Sequence, residues 1–183
     1  MRLGLVSDTF GNLAALERAL DLFARARAER VFFLGGRVAD LDAVLVRRAS
    51  TGDDPLAGKV VRVASRACPE YQDGKVPRKQ LDLVDGRVAC LVHDKSELSR
   101  DDIENATLIL HGNSGQPALV AIGARCFVTP GHLRRPAPAG RPATFVLLDA
   151  GPHELELTIF SEEAAELRKE RATLARGTKL SVK

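Results

Sequence analysis

Tryptophan is absent from this chain, tyrosine and methionine occur once each, and cysteine only three times. Cys68, Cys90 and Cys126 are odd in number, far apart in sequence and form no CxxC pair. No disulfide framework can be read from that pattern; buried free thiols in a reducing cytoplasm are the expectation. Charge of one sign is equally scarce. The 27 Lys+Arg face 24 Asp+Glu, and a net +3 gives no footing for nucleic-acid binding. No apolar run nears the ~18 residues of a membrane span. Met1-Arg2-Leu3-Gly4 leads into a strand-like segment, with no secretory apolar region or small-residue cleavage site. Neither an internal repeat nor a dividing linker is evident, so 183 residues read as one main domain. A chain of this length buries about 70% of its unfolded surface and folds without a staple. What the sequence does contain is four histidines, enough in number for a metal-dependent hydrolase site. Its 20 Arg against 7 Lys match the usage of GC-rich bacterial genomes.

The first third alternates between two periodicities. Leu3–Ser7 is a short apolar strand, and Asp8-Thr9-Phe10-Gly11-Asn12 is a turn that ends on a helix N-cap residue. Leu13, Leu16, Leu20 and Phe23 then recur at helical spacing. Arg30–Leu34 is a second strand, closed by Gly35-Gly36. Leu41, Val44 and Leu45 mark a second helix, with Asp40 as the expected N-cap, and Val60, Val61 and Val63 a third strand. Strand–helix–strand–helix–strand predicts parallel strands with crossover helices.

The remainder predicts hairpins. Gln80–Val84 and Arg87–Val92 flank Asp85-Gly86, a type I′ turn pair. Ser96–Asn105 reads as a short polar helix and Thr107–Leu110 as a strand. Ala118–Ile122 pairs with Arg125–Val128, and Ala143–Asp149 with Glu154–Phe160. Thr51–Pro55 and Arg134–Pro142 are loops. Ser161–Arg176 is rich in helix-forming charged residues, with Leu167 and Leu174 seven apart, and predicts a helix capped by Ser161. The expected fold is therefore α/β: a two-sheet mixed β sandwich flanked by helices, with a βαβαβ start, antiparallel hairpins after it and a C-terminal helix. The domain would span 1–160, followed by a charged helix and tail over 161–183.

Polar loops at strand ends are where α/β sheets gather ligands. Here the strand ends deliver Asp8-Thr9-Phe10, Gly35-Gly36-Arg37, Ser65-Arg66-Ala67, His93-Asp94 and His111-Gly112-Asn113-Ser114-Gly115. This series resembles the calcineurin-like metallophosphoesterases, in particular their small bacterial and archaeal phosphodiesterases. Leu5–Leu13 resembles the family's S-D-T-H-G-N block, Phe33–Val38 its L-G-D block, and Val60–Glu70 the block that carries G-N-C-D or G-N-H-E. Leu91-Val92-His93 resembles the strand that ends in a single His. Leu110–Pro117 resembles G-H-T-H-x-P, and Val128–His132 the N-P-G-S turn. The resemblance covers roughly residues 1–160.

It implies a two-metal site, and at that site this sequence departs from the family. The ligand positions fall on Asp8, Phe10, Gly36, Arg66, His93, Asn113 and Gly115. Only Asp8 and His93 keep the ligand type. Phe10 and Gly36 offer no ligand atom, and the guanidinium of Arg66 cannot coordinate. Catalytic metal sites generally use three or more protein ligands, so no bound metal, no cofactor and no catalytic residue are expected. His111, His132 and His153 fall outside the ligand positions. Asp8 is expected to pair with Arg66, which would offset the lost metal charge, or to cap the following helix. His93 is expected to be a satisfied, partly buried histidine.

The resemblance then implies a pseudoenzyme that acts through a protein partner as a scaffold or regulatory subunit. The superfamily includes a retromer subunit thought to act in that way. One alternative is metal-free binding of a phosphorylated ligand or nucleotide through Arg66, His93, Asn113 and Ser114, with Arg37, Arg134 and Arg135 adding positive field. Another is phosphodiesterase activity with a residual or altered metal dependence. Self-association stays open.

Overall fold

A computed structural model describes residues 1–138 and 140–174. The predicted βαβαβ opening forms as β1 (Arg2–Val6), α1 (Leu13–Arg25), β2 (Arg30–Phe33), α2 (Val38–Ser50) and β3 (Val60–Arg62). The pairs β1–β2 and β2–β3 are parallel. Asn12 caps α1: its side chain accepts the Ala15 amide at 3.3 Å. Leu16, Leu20 and Phe23 of α1 are fully buried. Gly4 in β1 makes room for them, since a Cβ there would lie 2.4 Å from the Phe23 ring.

Asp40 is not the cap of α2, which starts after Arg37 without a side-chain cap. Asp40 sits inside the first turn, and its Oδ2 accepts Thr9 Oγ1 at 2.7 Å and the Gly11 amide at 2.6 Å. A carboxylate in a helix's first turn is favoured by the dipole. Here it also ties α2 to the turn after β1.

After a four-residue helix α3 (Glu70–Asp73), β4 (Lys79–Val84) and β5 (Arg87–Val92) form the expected hairpin. Asp85 and Gly86 have φ of 50° and 75°, the left-handed pair that a type I′ turn requires. The polar helix expected over Ser96–Asn105 divides into a 3₁₀ turn at Lys95–Glu97 and α4 (Arg100–Asn105). The break lies at Ser99, whose side chain forms a capping box with Asp102. The chain continues through β6 (Leu108–His111), β7 (Pro117–Ile122), β8 (Arg125–Pro130), β9 (Thr144–Ala150), β10 (Glu154–Ser161) and β11 (Glu166–Thr173).

Two sheets result, of order β11-β10-β9-β1-β2-β3 and β4-β5-β6-β8-β7. Side chains alternate across β1. Leu3 and Leu5 face the second sheet with Leu91, Leu108, Leu110 and Val128, while Val6 faces α1 and α2 with Leu16, Phe23 and Leu41. Each such side chain fully buried stabilises the fold by about 1.5–3 kcal/mol. Phe145 of β9 extends the helix-side core, edge-on to Phe23 at 5.6 Å and stacked on Phe160 at 5.5 Å.

The helix expected over Ser161–Arg176 is corrected. Ser161–Ala165 turns back, and Glu166–Thr173 pairs antiparallel with β10 as the edge strand β11. The period is two. Glu170, Ala172 and Leu174 face inward, the last two packing on the inter-sheet core, while Lys169 and Arg171 reach Glu156 on the opposite side. Glu170 also accepts the Leu119 amide at 2.9 Å, which joins β11 to β7 of the other sheet. Helix propensity in this charged segment yields to cross-strand pairing and to the core. Residues 175–183, including the last two of the expected helix, lie outside the described residues.

Candidate functional site

The C-terminal ends of β1, β2, β5 and β6 converge, and the loops after them build one cleft. Asp8 follows β1 with φ 53° and is buried. His93 follows β5, is also buried, and its Nε2 donates to Asp8 Oδ1 at 3.0 Å. Asp8 Oδ2 accepts the Asn113 amide at 3.3 Å, and Arg134 Nη2 lies 3.9 Å from Oδ1. Asp8 therefore has a donor for each oxygen, as a buried carboxylate needs. Its cationic neighbour is Arg134, from the loop after β8, and not the expected Arg66. Arg66 instead has a side chain 62% exposed and pairs with Glu97 at 3.4 Å.

Other predicted positions are close to Asp8 but engaged elsewhere. The Asn113 side chain turns to Asp94, Nδ2 to Oδ2 at 2.8 Å. Ser114 Oγ donates to the Gln116 carbonyl at 2.8 Å and lies 2.7 Å from Thr129 Oγ1. Phe10 lies under the guanidinium of Arg134, 4.1 Å from ring centroid to Cζ. Gly36 has φ 110°, and a Cβ there would stand 2.8 Å from both Asp8 Cα and Asp8 N. Its carbonyl accepts Ser65 Oγ at 3.2 Å and also takes the Cys68 thiol. Arg135, expected to add field, is held by Glu162 at 2.9 Å.

Two residues at this cleft were not assigned from the sequence. His132 is buried and bridges two backbones. Its Nδ1 accepts the Arg134 amide at 3.1 Å, and its Nε2 donates to the Arg141 carbonyl at 3.0 Å. Only the neutral ring can do both. Burial, with Arg134 and Arg141 nearby, holds its pKa below the usual imidazole value. Arg141 is the second. Its Nη1 is 3.0 Å from where a Cβ on Gly115 would be. Asp8, Asn113, Ser114, Gly115, His132, Arg134, Pro138 and Arg141 enclose about 110 Å³. Four larger clefts, of about 640, 520, 400 and 270 Å³, share none of these residues. Their linings carry no Asp–His pair, so the chemistry is read at the smaller one. Of the other two histidines, His153 is exposed, and His111 is buried with Nδ1 donating to the Gly112 carbonyl at 2.9 Å, burial pushing its pKa down to about 4.

A family model for the calcineurin-like phosphoesterase superfamily domain matches residues 1–152. The chain belongs to that superfamily. No curated protein matches it. Among solved structures, Yfce, a phosphoesterase from E. coli, aligns with a TM-score of 0.66 at 21% identity, over 93% of this chain and 98% of its own. A protein from Streptococcus pneumoniae TIGR4, itself predicted to be a phosphoesterase, gives 0.68 at 15%, over 94% and 97%. Vacuolar Protein Sorting 29 from Cryptosporidium parvum gives 0.69 at 13%, over 96% and 98%. These likenesses concern the fold.

Superfamily membership implies a two-metal centre, and its donor set can be tested against this cleft. Hard divalent cations call for carboxylate and imidazole ligands in number. Here Asp8 and His93 are bonded to each other, and the neighbouring positions carry Phe10, Gly36, Asn113 and Gly115. Among the described residues, no group of three or more His, Cys, Asp or Glu is placed to hold a metal ion. The residues present do not fit a binuclear centre.

Proposed function

We propose that this is a non-hydrolytic member of the superfamily that works by binding, with a protein as its partner. One observation carries the reading: the side chains at the ligand positions cannot assemble a metal centre. The hydrolytic chemistry of such a site depends on metal ions to polarise the phosphoryl oxygen and to lower the pKa of water. Asp8 with His93 offers no substitute nucleophile, and Ser114 lacks a base.

The surface supports a protein partner. On the outer face of the five-stranded sheet, the register places Leu81, Cys90, Ile109, Phe127 and Val120 in one row. Ala106 and Leu98, at either end of α4, pack on its centre. The rims stay open: Leu83 is 64% and Ile122 61% exposed. The open apolar side chains cluster in pairs on either side of α4, Leu81 with Leu83 and Val120 with Ile122, and clustered exposed apolar side chains suit association. One fold neighbour, Vps29 from Chaetomium thermophilum (TM-score 0.63, 14% identity), was solved in complex with a cyclic peptide.

The test is direct. Purified protein is assayed for bound metal, for Mn²⁺ binding by titration calorimetry, and for turnover of a generic phosphodiester. Neither stoichiometric metal nor turnover is expected. Stoichiometric Mn²⁺ bound by the folded wild-type chain, or metal-dependent turnover, would overturn the reading.

A further inference from the structure

The misfit with metal has a counterpart in the positions of two arginines. By the family resemblance, positions 10 and 115 are those of ligand histidines. At position 10 the side chain is an aromatic ring, and the guanidinium of Arg134 covers it at 4.1 Å, 3.9 Å from Asp8 Oδ1. At position 115 there is no side chain, and Arg141 Nη1 stands 3.0 Å from where one would begin. Each cation thus approaches a place where a metal-binding side chain is missing. Arg141 makes no ion pair among the described residues, and the one carboxylate near Arg134 is Asp8. Two guanidiniums against one carboxylate leave the cleft net positive while His132 is neutral.

The backbones that carry these arginines are fixed in place. His132 holds the backbones of both, one on each ring nitrogen. Phe10 supports the plane of Arg134, a cation–π contact. Arg141 leaves its guanidinium free of protein partners among the described residues, and guanidinium forks suit tetrahedral oxyanions, which they grip through paired hydrogen bonds. The size selects further. A cavity of about 110 Å³ has the volume of three or four waters at ~30 Å³ each. That admits one phosphoryl group and leaves the rest of its bearer outside.

We propose that Arg134 and Arg141 stand in for the missing metal charge and bind the dianionic phosphoryl end of a phosphomonoester without hydrolysing it. The inference rests on the metal-free reading above. It also replaces the donor set expected from the sequence. Arg66 points away to Glu97, and the Asn113 and Ser114 side chains are engaged elsewhere.

The full chain, stripped with chelator and kept at low ionic strength, is titrated calorimetrically with inorganic phosphate, phenyl phosphate and dimethyl phosphate. Saturable one-to-one binding is expected for the first two, and binding at least about tenfold weaker for the monoanionic diester. Arg134→Gln and Arg141→Gln should each weaken phosphate binding by about tenfold or more, the worth of a charge-assisted hydrogen bond, and Arg66→Gln by less than about twofold. No saturable phosphate binding, or an equal loss in Arg66→Gln, would overturn the proposal. A parallel Mn²⁺ titration separates the two readings. Stoichiometric Mn²⁺ overturns both, whereas failure to bind either Mn²⁺ or phosphate overturns only this one.

Discussion

By the family resemblance Gly36 takes the position of a bridging carboxylate, and its surroundings predict what happens when a side chain is placed there. Its φ of 110° suits glycine, and a Cβ there would meet Asp8 Cα and N at 2.8 Å and Thr9 N at 3.2 Å. All three are backbone atoms, so no rotamer change relieves the contact. The loop could move away only by giving up the Asp8 amide to Gly35 carbonyl bond of 2.9 Å. Backbone strain contributes about 1–3 kcal/mol and overpacking about 1–3 more, so Gly36→Ala should lose about 4 kcal/mol. In urea, with a slope of roughly 2.5 kcal/mol/M for a chain of this size, the unfolding midpoint should fall by about 1.5 M. Gly52→Ala isolates the contact from the strain, because Gly52 has φ 126° but nothing within 4 Å of its Cβ position. It should show the strain loss alone. Gly36→Asp should be at least as unstable as Gly36→Ala and gain no thermal stability from Mn²⁺. A Gly36→Ala midpoint no lower than that of Gly52→Ala would refute the reasoning.

Two further predictions concern the rest of the fold. His111 is buried with its pKa pushed down to about 4 from an ordinary 6.5, so the unfolded chain binds a proton there more readily than the folded one. Stability linked to it is whole above pH 6.5 and falls as pH drops towards 4, by about 3 kcal/mol in all. Urea midpoints measured across that range should fall less steeply in His111→Gln; parallel curves would contradict the assignment. A chain stopped after Phe160 lacks β11, which exposes the β10 edge and uncovers the core beneath Ala172 and Leu174. It should melt lower and self-associate, whereas an unchanged melt would show that the segment is an appendage.

Much of the architecture was legible because the local signals agreed with the tertiary ones. The periodicity of Leu13, Leu16, Leu20 and Phe23, the Asn12 cap and the Asp85-Gly86 turn each specify one local geometry, and the fold uses all three. Ser161–Arg176 failed for the opposite reason. Its residues favour helix in isolation, and the strand forms only because β10, Glu156 and the Leu119 amide lie ready to pair with it. Asp40 misled in a related way, since a carboxylate near a helix start reads as a cap although its acceptors serve another turn. At the cleft, the strand-end residues Asp8, His93 and Asn113 lie together because topology fixes strand ends. Arg141 was beyond reach of the sequence. It comes from a proline-rich loop whose path depends on the His132 bridge, and nothing local to it signals that contact.

The survival of Asp8 and His93 invites a catalytic interpretation, but their surroundings account for it without one. Asp8 is buried, and its charge is tolerable only because His93, the Asn113 amide and Arg134 surround it. His93 is equally constrained. A Cβ on Gly35 would meet its ring at 2.3 Å, and one on Gly112 at 2.9 Å, so the two glycines form its seat. Removing one partner of such a buried pair strands the other and costs about 3–5 kcal/mol. By contrast, positions 10, 113 and 115 can do without a histidine at no comparable cost, because no buried partner depends on one there. The positions that keep the ligand type are thus those the fold itself requires. It follows that lost activity in His93→Ala would not by itself identify a metal enzyme, since the variant should be destabilised in either case. Direct metal binding by the folded wild-type chain is the measurement that discriminates.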